Sequence, residues 1–268
     1  MEFYTLNNGV LIPKVGMGGW AQSKETILDA IKNGYTLIDT AAQYGNEEAV
    51  GEAIKESGVL RDKLFVCTKL WTDDIREHRT EKAFYESLSR LGLDYIDLFL
   101  IHWPAFGFED AYIIMEDLYK KGYIRAIGVS NFEPHHLSAL TEYGACVVPA
   151  VNQIELHPYF LNADSSEFSK NIGTYVEAWC PLGGPRSGEL SDNVIKEISI
   201  KYHKTEAQVI LRWHIQRNII AIPKTSHIDR MKSNIEVFDF ELTEEEITRI
   251  TELDSGRRLG AHPDSFKF

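Results

Sequence analysis

A (β/α)8 barrel with an N-terminal β-hairpin is predicted by three observations on the sequence. Eight short apolar runs recur along the 268 residues, helical patterns lie between most of them, and no linker, low-complexity tract or charge block divides the chain. The length suits one barrel, so residues 1–268 read as a single α/β domain.

In chain order, Asn7-Asn8-Gly9 separates two short β-prone runs, the pattern of a hairpin. The barrel strands are expected at 15–18, 36–40, 64–69, 96–102, 126–130, 151–155, 174–180 and 219–224. Between them, Phe84, Leu88 and Leu91 fall on one helical face that stops at Gly92. Two further helices open with capping boxes, Thr205 with Gln208 and Thr243 with Glu246.

Composition narrows the function classes. Hydrophobic residues at 44% and charged residues at 25% allow a large core in a water-soluble chain. A net charge of −12 argues against a broad nucleic-acid face, so an anionic ligand needs a local basic pocket. Three cysteines, Cys67, Cys146 and Cys180, make no disulfide framework and point to a reducing compartment. The first residues lack a secretory pattern and no apolar stretch reaches membrane-spanning length, so a cytoplasmic location is expected, with no membrane partner.

One motif offers a different fold. Gly16-x-Gly18-x-x-Ala21, followed by a helical pattern and a run ending in Asp39, matches a Rossmann dinucleotide fingerprint. Pro13 and Lys14 shorten the run that would be its first strand, however, and Trp20 sets an indole where backbone must approach phosphate. The glycines are better read as a tight exit from the first barrel strand.

Polar residues cluster at the C-terminal ends of the runs, where barrel enzymes place their chemistry. Asp39 and then Tyr44 follow the second run, Lys69 ends the third and His102 the fourth. A half-buried ammonium needs a partner, which Asp39 can be from the neighbouring strand. A cation beside a phenol favours the phenolate, so Tyr44 can give a proton to a developing alkoxide and take one in reverse. His102 can donate a hydrogen bond to the same oxygen. Each residue alone has an ordinary structural explanation; four at successive strand exits are hard to explain by accident.

These segments also carry a resemblance. GMGGW, LIDTAAQYGNE, CTKLW, DLFLIHWP, RAIGVSNF, VNQIELHP, EAWCPLG, IPKTSHIDRMKSN and LDSGRRLG resemble the aldo-keto reductases over nearly the whole chain. The compact C-terminus is similar to that of microbial diketogluconate, glyoxal and prostaglandin-F reductases. The resemblance implies a barrel that binds NADPH without a Rossmann fold, with Asp39, Tyr44, Lys69 and His102 as a catalytic tetrad. In it Tyr44 is the proton donor, Lys69 lowers its pKa, Asp39 orients Lys69 and His102 positions the carbonyl. Trp20, Trp71 and Trp103 would line the substrate pocket beside Tyr44 and His102.

The cofactor residues carry over in the same way. Ser130, Asn131 and Gln153 would hold the nicotinamide carboxamide, and Trp179 would stack on its ring. Cys180, Pro181, Leu182 and Gly183 would cross the pyrophosphate, and Gly18 and Asp39 would also contact the cofactor. Pro223 leads into Lys224, Thr225, Ser226 and Arg230, which would hold the 2′-phosphate, and Asn234 would lie near the adenine. That last cluster also makes sense from its residues alone, as two cations, two hydroxyls and a helix start in an acidic chain. Gly19 and Ser233 depart from the family, where a hydroxyl residue and a carboxylate are frequent, and the loop after Trp103 looks shortened.

The expected activity is NADPH-dependent reduction of small aldehydes, ketones and dicarbonyls by a monomer. A non-enzymatic NADP(H)-binding sensor on the same barrel is the alternative. A metallohydrolase reading of His135, His136 and His157 is disfavoured: the first strand lacks an inward His-x-His pair, and Pro134 makes the His135-His136 stretch a helix start. No metal is expected.

Overall fold

The eight expected runs are strands of one parallel sheet in the computed structural model of the protein, which describes residues 1–184 and 187–266. The hairpin is β1 (Phe3–Thr5) and β2 (Leu11–Pro13), paired antiparallel. The sheet then runs β3 (Met17–Gly18), β4 (Leu37–Asp39), β5 (Phe65–Leu70), β6 (Ile96–Ile101), β7 (Ile124–Ser130), β8 (Val151–Glu155), β9 (Tyr175–Trp179) and β10 (Ile219–Ala221), each beside its sequence neighbour. A parallel bridge between Val15 and Ala221 brings the last strand back to the first. The Gly16 and Gly18 amides donate to the Ala221 and Pro223 carbonyls at 2.9 and 3.1 Å, closing the barrel. The fold is thus a (β/α)8 barrel with an N-terminal hairpin.

The helices cover the outside: α1 (Lys24–Lys32), α2 (Glu47–Ser57), α3 (Thr72–Arg76), α4 (Thr80–Leu91), α5 (Phe108–Lys120), α6 (Pro134–Tyr143), α7 (Ala163–Asn171), α8 (Asn193–Tyr202), α9 (Glu206–Gln216), α10 (Ile228–Ile235) and α11 (Glu244–Thr251). Both capping boxes form, and Gly92 ends α4 in the left-handed region at φ 62°. Most of the stretch after Trp103 that reads as a loop is α5. Its Phe108, Ala111, Tyr112, Met115 and Leu118 recur at helical spacing and are all buried. None of the described helices is long and apolar enough to cross a membrane.

Three apolar clusters of described residues hold the layers. Two lie between sheet and helices. The third fills the barrel floor, where Tyr4, Leu6 and Ile12 of the hairpin cluster with Leu37, Phe65, Leu98, Val151 and Ile220. The hairpin therefore plugs the N-terminal end of the barrel and leaves the C-terminal end for chemistry.

The Gly16–Gly19 glycines have a packing reason. A Cβ on Gly16 would fall 2.5 Å from the Leu37 side chain, inside the barrel. One on Gly19 would fall 2.4 Å from the Asp39 carbonyl oxygen, which accepts from the Gly19 amide at 2.7 Å. These glycines admit neighbouring backbone and side chains. A hydroxyl residue at 19 would displace the strand that carries Asp39.

Candidate active site

β4 and β5 run parallel with Asp39 opposite Cys67, so Asp39 and Lys69 project into the barrel from adjacent strands. Lys69 is fully buried, which a lone ammonium could not bear. Its Nζ donates to both Asp39 carboxylate oxygens at 2.7 Å and to the Thr40 carbonyl at 2.8 Å. The Tyr44 hydroxyl, carried by a short 3-10 turn over 42–44, lies 3.5 Å from the same nitrogen. His102 follows β6, and its ring meets those of Tyr44 and Trp71 edge-on at 5.6 and 5.2 Å.

The electrostatics follow from burial. Burial would push the Lys69 ammonium down, but Asp39, with Tyr44 and Cys67 behind it, holds its pKa above the usual lysine range. At the Tyr44 phenol burial is the largest effect and raises the pKa; Lys69 pulls it down and Asp39 pushes it up, so it stands above that of a free phenol. Burial, and then Lys69, hold His102 well below the ordinary imidazole value, so its ring is neutral at physiological pH. His102 Nδ1 is buried without a hydrogen-bond partner among the described residues. A bare lone pair costs less there than an unpaired N–H, so the ring proton belongs on Nε2.

The other expected residues gather around this group. Trp179, half-buried at the end of β9, donates from Nε1 to Asn131 Oδ1 at 2.9 Å. Asn131 Nδ2 donates to the His102 carbonyl, and the Ser130 hydroxyl donates to the Gln153 carbonyl at 2.9 Å. Gln153 Nε2 points into the barrel, to Asp39 Oδ2 at 2.9 Å and to Glu177. Cys180 and Gly183 turn through left-handed backbone after β9, and the Pro181 carbonyl faces His214 Nε2 at 2.9 Å. All three cysteines are free thiols.

Beyond β10, Lys224, Ser226 and Arg230 are exposed, and among the described residues no carboxylate forms an ion pair with either cation. Thr225 is buried, its hydroxyl accepting from the His227 amide at 3.1 Å. Asn234 is buried beside the Tyr35 hydroxyl on the inner side of α10. Lys224 Nζ sits 4.1 Å above the exposed Trp20 ring, which joins an expected phosphate ligand to an expected pocket residue.

Sequence reasoning missed two features. The first is the C-terminal segment. The Leu259 and Gly260 amides donate to Glu155, Gly260 lies so close to Trp179 that a Cβ would fall 2.5 Å from its ring, and Phe266 stacks on Trp103 at 4.7 Å. Residues 259–266 therefore return to pack against Glu155, Trp179 and Trp103. The second is Glu177, a fully buried acid in the middle of β9. A glutamate inside the apolar run TYVEAWC is as anomalous as the lysine in CTKLW, and that signal could have found it.

The three histidines of the metal reading separate into two places. His157 is enclosed between Glu155 and Glu189, at 3.2 and 2.8 Å. His135 and His136 both face Asp264, at 3.1 and 3.3 Å, and the three could present atoms to one ion. However, His136 Nδ1 accepts from the Glu133 amide as part of the α6 cap. In the neutral ring the proton is then on Nε2, aimed at Asp264, and no lone pair is left there for a metal.

A barrel with these strand exits defines a class. The aldo/keto reductase family model matches residues 18–255, and the chain belongs to that family. It is an oxidoreductase, and the chemistry of its family is carbonyl reduction. Its relatives include a 9,11-endoperoxide prostaglandin H2 reductase of Trypanosoma cruzi, 46% identical over 98% of this chain and 95% of that one. A glyoxal reductase of Bacillus subtilis is 45% identical over 98% of this chain and 96% of that one. Among solved structures, a Bombyx mori aldo-keto reductase in complex with NADP superposes with a TM-score of 0.92 at 34% identity, covering 98% of this chain and 96% of that one.

Proposed function

We propose that the protein reduces small aldehydes, ketones and dicarbonyls with NADPH, with Tyr44 as proton donor. The single observation that carries this reading is the Lys69 ammonium, held by Asp39 and set 3.5 Å from the Tyr44 hydroxyl at the mouth of the barrel. The glyoxal reductase relative supports a small dicarbonyl among the substrates, and the NADP-bound neighbour supports the cofactor.

The residues present fit NADPH. Lys224 and Arg230 make no ion pair among the described residues and stand with Ser226 at the start of α10, a cationic point in a chain of net charge −12. Trp179 is held in one orientation by Asn131, as a stacking ring must be. When bound, the cofactor supplies the hydride. The protein's part is to place the carbonyl oxygen between the Tyr44 hydroxyl and the His102 Nε2–H and to deliver the Tyr44 proton as the alkoxide forms. Lys69 stabilises the phenolate that remains, and Trp71 and Trp103 flank the cleft and limit water.

Two expected outcomes test the assignment of roles. Asp39→Asn should lower kcat while leaving the NADPH-to-NADH preference unchanged, because its carboxylate orients Lys69; a changed preference in steady-state kinetics with both cofactors would mean that Asp39 touches the cofactor ribose. Lys224→Ala should weaken NADPH by about tenfold, the loss of one charge-assisted contact, and leave NADH nearly unaffected. Fluorescence titration of both cofactors measures this, and equal weakening of the two would remove Lys224 from the 2′-phosphate site.

NADPH oxidation with a panel of carbonyls separates the enzyme from a cofactor-binding sensor. A protein that binds NADPH and consumes none with any of them is a sensor.

A further inference from the structure

Glu177 has no part in the reaction derived above, yet it sits directly against the residues that perform it. It is fully buried in β9, opposite Gln153 in the parallel ladder. One carboxyl oxygen accepts from Gln153 Nε2, and the same nitrogen donates to Asp39 Oδ2 at 2.9 Å. The other oxygen is buried without a hydrogen-bond partner among the described residues. Among the described residues no cation forms an ion pair with the group, and the close partners of Lys69 Nζ are Asp39, the Thr40 carbonyl and Tyr44.

The titratable or charged groups facing Glu177 are few. β4 presents Asp39, β5 presents Lys69 and Cys67, and Tyr44 lies beyond Lys69. From the two strands that flank β9, β8 presents Gln153 and β10 presents the apolar Ile220, each directly opposite Glu177. A carboxylate with one hydrogen bond and no cation is far more costly to bury than the neutral acid.

We propose that Glu177 is a positioning residue of the carbonyl reduction, a neutral acid beneath the Asp39–Lys69 pair whose ionisation slows proton transfer from Tyr44. The proposal rests on the reading of Tyr44 as proton donor. With Glu177 neutral, Asp39 and Lys69 cancel, and the phenolate left on Tyr44 faces a balanced floor. Once Glu177 loses its proton, the cluster gains a negative charge that opposes the phenolate. The Gln153 amide is also drawn from Asp39 towards Glu177. Burial first, and then Asp39, push the Glu177 carboxyl up to about 8, so the change falls at mildly alkaline pH.

The test compares wild type with Glu177→Gln, which keeps the shape of the neutral acid. Single-turnover reduction of glyoxal with NADPH is followed at pH 7 and pH 9. Wild type should slow by about threefold or more between them, as one added charge requires, and the variant should not. Equal pH ratios in the two proteins, with Tyr44→Phe inactive, overturn the proposal alone. A Tyr44→Phe variant of normal turnover instead removes the reading beneath it, and the proposal with it.

Two further readouts need no turnover. A carboxyl that is less acidic in the folded chain than in the unfolded one costs stability as pH rises from its unfolded to its folded pKa, because only the unfolded chain has yet released the proton, so wild type should lose melting temperature relative to Glu177→Gln from pH 5 to pH 9. Carbon NMR of wild type labelled at glutamate carboxyls should show one resonance titrating above pH 7. Its absence overturns the proposal even where the variant does not fold.

Discussion

Tyr44→Phe is expected to lower kcat for carbonyl reduction by about 100- to 10,000-fold, the usual contribution of a placed general acid. The Kd for NADPH should stay within about twofold, because the phenol hydroxyl is assigned to the substrate oxygen and not to the cofactor. The ring keeps its edge contact with His102 at 5.6 Å, so the loss isolates the hydroxyl. The pH dependence carries the same sign. The Tyr44 pKa stands above the ordinary phenol value because burial outweighs Lys69. Tyr44 is therefore protonated across neutral pH, as reduction requires. Alcohol oxidation, which needs the phenolate, should rise with pH towards and beyond the ordinary phenol range. Rapid-mixing rates in both directions with wild type and variant measure this. A variant with near-normal kcat would mean that another group supplies the proton.

Lys69→Met should cost about 3–5 kcal/mol of stability, because it leaves a buried carboxylate facing apolar surroundings. Asp39 would keep its bond from Gln153 but lose the ammonium that meets both its oxygens. Activity should fall with it, since the phenolate left on Tyr44 would lose its nearest cation. The double variant Lys69→Met with Asp39→Asn separates the two effects. Removing both charges should restore most of the lost stability and none of the activity. Denaturant unfolding and single-turnover rates of the three variants complete the cycle. A double variant as unstable as the sum of the singles would show that the instability arises from lost packing and not from an orphaned charge.

Much of the scaffold was legible because its signals are local. The Asn7-Asn8-Gly9 turn, the Thr205 and Thr243 caps and the Gly92 stop each depend on a few adjacent residues, and each is found where expected. Strand ends were read to within a few residues; the run expected at 219–224 is a strand only over Ile219–Ala221. The loop after Trp103 was misread because Gly107 and the aromatic residues around it masked an amphipathic pattern that starts one residue later, at Phe108. The Rossmann-like glycines show how little a local motif says about its cause. The local motif fits, but the residues that require glycine there, Leu37 and Asp39, come from the adjacent strand.

By itself the sequence determined the order of strands and helices, and it set Asp39, Tyr44, Lys69 and His102 at successive strand exits. Period and turn chemistry are properties of neighbouring residues, and a polar side chain ending an apolar run is visible without a fold. Only the tertiary structure decided that burial outweighs Lys69 at the Tyr44 hydroxyl, that Gln153 turns inward to join Asp39 to Glu177, and that Phe266 returns to cover Trp103. Desolvation and cross-strand hydrogen bonds depend on what lies opposite, and the residues opposite are far away in the chain.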